Sequence, residues 1–459
     1  MRPSTKFSVG LLAIYLGIIS SCTKEATEAK EEETAIDPCA YEEQFSSIQV
    51  LIDAASPGDT ILIEPGTYEG TINFQGKDVV VGSLFLTTGD SSYISQTILD
   101  AKQSGSVVRF ENSEGSGSVL SGVTLTGGYA VEGGGIYISS ASPTLNHLRI
   151  TGNHAYNCEE GDYFRASSGG GIYMEGADPN ISKVMISENS SESRGGGISM
   201  TNAHPSFHLV TVTMDTAMEG GGIHAGVSSP SLSRVVVTEN VAEKGAGFYL
   251  TAFSNPELVN TVVGDNTASV EGGGLFVDNS EVNFVNVTVA RNTALSHGGS
   301  IFMNGGVVKI LNSILYSADP EEIWYNSTGS SSTMTLRYTD VEGGLEGIET
   351  NSNGTVDWRE GNLDIGHGVR DNYCQEGPVW GADEKFHPPS AIIDAGDPAS
   401  KYNDEENLWC IYVNMAEEWA SNPAVISTPD STTVRNDLGA FGGPKGSWGI
   451  IHATPGSEW

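Results

Sequence analysis

The sequence predicts an all-β chain folded as a single parallel β-helix, a solenoid in which each turn of chain stacks on the one before. Three repeating markers predict it. A glycine triplet returns between Gly133 and Ser300: Gly133-Gly134-Gly135, Gly169-Gly170-Gly171, Gly195-Gly196-Gly197, Gly220-Gly221-Gly222, Gly245-Ala246-Gly247, Gly272-Gly273-Gly274 and Gly298-Gly299-Ser300. Measured at the third position the steps are 36, 26, 25, 25, 27 and 26 residues, and a fixed period in this range marks a stacked repeat. Asn153, Asn189, Asp215, Asn240, Asn266 and Asn292 keep the same beat, as do Pro143, Pro179, Pro205, Pro230 and Pro256, each series with the same long first step.

Within a repeat, the residues eight, five and three before the Asn are apolar: Leu145, Leu148, Ile150; Ile181, Val184, Ile186; Leu232, Val235, Val237. These runs are too short and too β-branched for helix and predict strands with those residues inward. After each triplet a second short strand alternates, with Ile136 and Ile138, Ile172 and Met174, Ile198 and Met200, Phe248 and Leu250, Leu275 and Val277, Ile301 and Met303 inward. Glycines supply turns or close backbone approach, and prolines mark another corner. Coils pair at about 4.8 Å, so the seven marked coils make a rod about 34 Å long. The Asn series is expected to stack as an internal amide ladder. The ten extra residues of the first step, Tyr156 to Arg165, are expected to form a loop, and such loops tend to lie on a functional face.

In chain order, residues 1–21 predict a secretion signal: Arg2 and Lys6 precede the apolar run Phe7 to Ile19, which is too short to span a membrane. Ile19-Ser20-Ser21-Cys22 resembles the lipobox of bacterial lipoproteins, which implies cleavage before Cys22 and acylation of that cysteine. Residues 22–46, rich in Glu and Ala, read as an acidic tether. Lys24-Glu25 resembles the acidic surface-export signal of lipoproteins in Bacteroidetes-type bacteria. The expected location is the bacterial outer membrane, lipid-anchored at the cell surface.

Residues 47–317 form the expected β-helix. Ser47 to Ala55 reads as a short amphipathic helix, and Gly58 to Tyr68 as strands broken by Pro65-Gly66. A cap is needed because the open end of a β-helix is an unpaired sheet edge. Further strands are expected at Val79 to Leu86, Val107 to Phe110 and Val119 to Leu125. This opening and the repeats resemble right-handed parallel β-helix proteins of the pectin-lyase-like superfamily. The Gly-Gly-Gly-Ile pattern is also similar to repeats of chlamydial polymorphic outer membrane proteins. The resemblance implies a right-handed helix and leaves the activity open, since the fold hosts lyases, hydrolases and adhesins alike. Residues 318–459 are expected to form irregular last coils and a C-terminal cap. Ala391 to Pro398 and Arg435 to Pro444 resemble the closing segment of large secreted β-helix repeat proteins, and no autotransporter barrel or sorting sandwich is visible.

The formal net charge is -36, from 58 acidic against 22 basic residues. Such a surface repels nucleic acid and polyanions and suits neutral glycans, cationic partners or divalent ions. Beyond Cys22 stand Cys39, Cys158, Cys374 and Cys410, an even count that predicts disulfides in a secreted chain, with Cys374 and Cys410 the first pair to consider.

Between the two inward residues of the post-triplet strand one residue faces out. That column is Tyr137, Tyr173, Ser199, His224, Tyr249, Phe276 and Phe302. Its aromatics are the candidate ligand-binding residues, able to stack on sugar rings or on one another. Beside it run Ser139, Glu175, Thr201, Gly226, Thr251, Asp278 and Asn304. The outward column of the other strand holds His147, Lys183, Leu209, Arg234, Asn260, Asn286 and Asn312, with Arg149 nearby. Polysaccharide lyases on the resembled fold use a Lys or Arg as base, often with Ca²⁺, so Lys183, Arg234 and Arg149 are the candidates for that chemistry. Glu188, Asp215, Glu239 and Asp265 are weighed as glycosidase carboxylates. Gly366-His367-Gly368 matches a polygalacturonase triad but lacks the paired aspartates that should precede it. Asp394, Asp397, Asp404 and Asp437 are weighed as Ca²⁺ ligands, and no cofactor is otherwise expected.

The expected function is a non-catalytic, adhesin-type binding module for a glycan or another cell-surface component. The membrane is contacted through the lipid alone, nucleic acid is excluded, and the rod is monomeric. A polysaccharide lyase or glycoside hydrolase, and a purely structural spacer, are the alternatives.

Overall fold

The computed structural model describes residues 44–160, 163–316 and 318–364, together with three short strands at Lys6–Ser8, Leu408–Trp409 and Ser427–Thr428. The chain winds as a right-handed parallel β-solenoid of about ten turns, with the handedness that parallel crossovers adopt. Three sheets run along it. The triplet sheet passes from Ile72–Asn73 through Ile136–Ser139 and Phe248–Thr251 to Ile348–Glu349. The middle sheet starts at Thr60–Ile63 and ends at Gly354–Trp358. The ladder-side sheet starts at Gly66–Glu69 and ends at Asp340–Val341. Register is exact where the markers are: Ile136 pairs with Ile172, Ile172 with Ile198, Ile198 with Ile223 and Ile223 with Phe248.

The residues expected inward form one continuous core, including Leu145, Leu148, Ile150, Ile181, Val184 and Ile186. The three-residue step from Leu145 to Leu148 breaks strand alternation, and the backbone explains it. His147 turns with φ 51°, and Lys183, Leu209, Arg234, Asn260, Asn286 and Asn312 at the same place have φ between 51° and 57°. One left-handed residue bends each run from the middle sheet into the ladder-side sheet. The expected strand forms, Thr144–Thr151 in the first repeat, pairing with the next coil on both sides of this bend, and the column expected to face outward occupies the bend.

The first coil is closed as expected by a helix at Ser47–Ala54, capped by Ser46, whose Oγ accepts the Ile48 N–H at 3.4 Å. Ile48 and Ile52 enter the core, and Gln49 pairs with the backbone of Asn73 at 2.7 and 3.0 Å, satisfying a strand edge. Lys77 Nζ donates to Ile52 O at 2.8 Å and Asp53 O at 2.6 Å, placing a cation at the helix C-terminus. The strand expected over Val79 to Leu86 ends at Ser83. Phe85–Thr88 is a helical turn instead, stopped by Gly89 at φ 72°.

Parallel pairing continues beyond the expected boundary at residue 317. Ile301–Met303 pairs with Ile323–Tyr325, and Ile323 with Ile348. The triplet and the ladder residue are lost here, yet Ile323, Tyr325, Met334, Leu336 and Val341 keep the core filled. Pairing needs backbone register and inward apolar residues, and these outlast the markers. Ser300, in the third triplet place, donates to the buried Glu322 carboxyl at 2.5 Å, and burial pushes that carboxyl up to about 7.

The amide ladder forms as expected. Asn153 Nδ2 donates to Asn189 Oδ1 at 3.0 Å, Asn189 Nδ2 to Asp215 Oδ1 at 3.0 Å, Asn240 Nδ2 to Asn266 Oδ1 at 3.0 Å and Asn266 Nδ2 to Asn292 Oδ1 at 2.9 Å. Asp215 breaks the chemistry of the series. A methyl built on Gly171 would meet Asn189 Nδ2 at 3.2 Å, and one on Gly197 would meet Asp215 Oδ2 at 2.7 Å, so Oδ2 stands where its neighbours carry a donor. That oxygen is buried without a hydrogen-bond partner, and burial holds the carboxyl well above its ordinary range. Only a proton on Oδ2 lets the rung donate onward.

A pH dependence follows. Below the unfolded carboxyl pKa of about 3.8 both states hold the proton. As pH rises through that value the unfolded chain ionises first, so stability falls until the folded group also ionises. Asp215→Asn should remove this slope and stabilise the protein at neutral pH by about 1–3 kcal/mol, the cost of one unsatisfied buried group. Urea midpoints of both forms between pH 4 and 8 check it; equal midpoints at every pH would contradict it.

Candidate functional site

The outer side of the triplet sheet carries the aromatic column that the sequence nominates. Parallel register brings each ring over the next: His224 and Tyr249 have centroids 5.6 Å apart at 10°, Tyr249 and Phe276 4.9 Å at 6°, and Phe276 and Phe302 4.9 Å at 14°. Tyr137 and Tyr173 make a separate pair at 5.7 Å, and Arg109 lies 4.3 Å over the Tyr137 ring. Ser199 interrupts the two stacks, 3.5 Å from His224 Nδ1.

The rings stack on one another, one of the two arrangements that the sequence leaves open. Tyr173, His224, Phe276 and Phe302 are buried, at 6, 4, 4 and 2% exposure, while Tyr137 and Tyr249 are half-buried. The physical reason is the stacking itself: the ring faces a sugar would cover are covered by the neighbouring coil. Burial also pushes the Tyr173 and Tyr249 hydroxyls up, and drives His224 down to about 3 with the help of the Arg194 charge, so His224 is neutral at physiological pH.

The columns on either side are bonded from coil to coil. On one side charges alternate: Glu132 pairs with Arg165, Arg194 with Glu219 at 3.5 Å and Lys244 with Glu271 at 3.1 Å, and His297 Nδ1 lies in hydrogen-bond reach of Glu321 at 3.1 Å. Lys244 also lies 5.3 Å over Phe276, and His297 stacks on Trp324 at 3.7 Å. On the other side Thr251 Oγ1 donates to Asp278 Oδ2 at 3.0 Å, Asn304 Nδ2 to Asp278 Oδ1 at 2.8 Å, and Asn326 Nδ2 to Asn304 Oδ1 at 2.8 Å. Sequence reasoning missed the ion pairs because they depend on which coil residues become neighbours. The alternation of Arg194, Glu219, Lys244 and Glu271 at the coil period is the signal that could have found them.

Lys183, Arg234 and Arg149 do not converge. Lys183 and Arg234 occupy the left-handed turn, separated by the coil that carries Leu209, whereas Arg149 lies beyond the turn, paired with Met185 in the next coil. Further along the turn the column becomes amides: Asn260 and Asn286 are buried and bonded at 3.0 Å, so they do not face outward as expected. Among the described residues no group of three or more His, Cys, Asp or Glu is placed to hold a metal ion. Of the carboxylates weighed for glycosidase chemistry, Glu239 and Asp265 stand on adjacent coils, where burial and then the Asp265 charge raise the Glu239 carboxyl above its ordinary range. Asp215 is a ladder rung, and Asp265 is held by Arg291 through two bonds of 2.8 and 2.6 Å. Gly366-His367-Gly368, the four weighed Ca²⁺ aspartates, Cys22, Cys39, Cys374 and Cys410 lie outside the described residues.

The expected loop at 156–165 is an antiparallel hairpin, Cys158–Glu160 with Tyr163–Arg165. Arg165 reaches Glu132 on the triplet face, Phe164 is exposed, and Cys158 is disulfide-bonded to a partner outside the described residues. The most exposed phenylalanine among the described residues, Phe253, stands at a corner that sequence reasoning left without a role. The 27-residue step was its signal.

Geometry of this kind defines a right-handed parallel β-helix with ladders inside and along its faces. No protein-family model and no curated protein matches the chain. Among solved structures it is similar to the crystal structure of pectate lyase Pel9A, with 14% identity and a TM-score of 0.37 over 86% of this chain and 90% of that one.

Proposed function

We propose that the chain is a lipid-anchored bacterial surface rod that binds a glycan or other cell-surface component without acting on it. The observation that supports this best is that three of the residues nominated for catalysis have a place in the solenoid's own construction: Lys183 and Arg234 turn the coil, and Asp215 bridges it. The anchor is read from the lipobox-like Ile19 to Cys22 and the acidic tether behind it, which would hold the rod clear of the membrane. A net charge of -36 favours neutral over anionic glycans.

Passing the chain over a panel of immobilised polysaccharides, with and without Ca²⁺, while following the absorbance of unsaturated products tests the reading. Retention without product supports it. Product would replace it with a lyase and bring Lys183, Arg234 and Arg149 forward, and neither retention nor product would leave a spacer. Loss of lipid labelling and of membrane association in Cys22→Ser is the expected result for the anchor; unchanged labelling would contradict it.

A further inference from the structure

The coil from Gly247 to Gly274 takes 27 residues, and the position of its extra residue can be read from the register. The distance from the third triplet residue to the ladder residue is 18 from Gly222 to Asn240 and from Gly274 to Asn292, but 19 from Gly247 to Asn266. Gly226 pairs with Thr251, and the Ser228 N–H donates to Ser254 Oγ at 3.1 Å. Between those two fixed points one coil has Val227 alone and the next has Ala252 and Phe253. The following coil returns to one residue, Asn279, before Ser280, whose Oγ accepts the Ser254 N–H at 3.2 Å.

The insertion aims a ring at solvent. Phe253 is 84% exposed at φ 65° and Val227 is 52% exposed at φ 53°. Other coils turn this corner with Gly176, Asn202, Asn279 and Gly305, residue types that suit a left-handed backbone. A β-branched valine and a phenylalanine are costly there, and although left-handed non-glycine residues recur at the corners of this solenoid, Ser140 at this one, these two also leave large apolar side chains in water. The corner is also tied by hydrogen bonds. Ser254 Oγ donates to Thr251 O at 2.7 Å and to Ala225 O at 3.0 Å.

Phe253 has no ring or cation partner among the described residues, so both of its faces are available. The same corner carries hydrogen-bonding groups, the Asn255–Asn283 amide pair bonded at 3.1 Å and, on the next coil, Glu281, whose charge is paired with Lys309. Two apolar side chains fall far short of the roughly 800 Å² per partner that a stable protein interface needs. They match the apolar face of one sugar ring, whose hydroxyls the surrounding amides and hydroxyls can meet.

We propose that Phe253, with Val227 beside it on the adjacent coil, is the platform on which the rod stacks a neutral sugar. This rests on the glycan-binding reading above and moves the contact from the buried aromatic column to the corner just past the C-terminal ends of the same strands.

The test is native electrophoresis of the full-length chain, in mild detergent, through gels containing xyloglucan, galactomannan or a β-glucan. At least one should retard the wild type. Phe253→Ala should weaken that retardation tenfold or more, Phe253→Trp should keep it, and Phe253→Gly should lose it with a Tm no lower than wild type, because glycine relieves the left-handed turn. If Phe253→Ala is retarded as strongly as wild type, the platform is elsewhere and the proposal falls while glycan binding stands. If no gel retards the wild type, both readings fall.

Discussion

Gly195→Ala should destabilise the rod by about 3 kcal/mol or more, whereas Gly176→Ala should cost about 1 kcal/mol. Both glycines have left-handed backbones, at φ 59° and 57°. Handedness alone does not decide the outcome, since Lys183, Leu209 and Arg234 tolerate the same region. Space decides it. A methyl on Gly195 would lie 2.2 Å from the Ile198 carbonyl oxygen, a backbone atom that cannot yield without unpairing the strand, while one on Gly176 meets nothing closer than Ser140 Oγ at 3.9 Å. The same close approach recurs at the first residue of every triplet, from Gly133 to Gly298, which is why that position is glycine in all seven. Urea midpoints of the two variants against wild type check the contrast. Equal losses would mean that conformational freedom, not contact, fixes the triplet.

Asn240→Ala should cost about 2–4 kcal/mol. Asn240 Oδ1 accepts the Asp215 N–H at 3.0 Å, and its Nδ2 donates to Val212 O at 3.1 Å as well as to Asn266. Alanine leaves a buried N–H without an acceptor in the middle of the ladder, next to the one rung that already depends on a proton. Asp215→Asn/Asn240→Ala should lose more than the algebraic sum of the two separate effects, because the amide introduced at position 215 no longer finds the next rung's Oδ1 and its gain is forfeited. A midpoint shift below half a kcal/mol for Asn240→Ala, measured by urea unfolding, would show that the ladder decorates the corner without supporting it.

Much of this fold was legible because three marker types repeat in register. Glycine, asparagine and proline each answer a local demand that recurs once per coil: close approach, a corner amide and a turn without a donor. The three-residue step between Leu145 and Leu148 already contained the left-handed bend, though alternation alone hid it. The coils after Ile314 were harder to follow, because Ile323 to Trp358 keep only inward apolar residues, which many folds share. The aromatic column was placed on the correct side of the strand, but its exposure depends on ring-to-ring contact at 4.9 Å and on flanking ion pairs. Those are properties of neighbouring coils, not of one repeat. Phe253 was concealed for the opposite reason: a single inserted residue changes a step from 26 to 27 and looks like noise until register shows which corner absorbs it.

The claim that the aromatic column is a structural ladder is tested most directly by Tyr249→Ala, with melting and glycan retention measured on the same preparation. Tyr249 stacks on both His224 and Phe276, and each aromatic pair contributes about 0.5–1.5 kcal/mol beyond the area it buries. The predicted result is a Tm several degrees lower, with retention of the folded protein by the wild type's polysaccharide unchanged. Retention lost at an unchanged Tm would contradict the account and return the binding platform to the column.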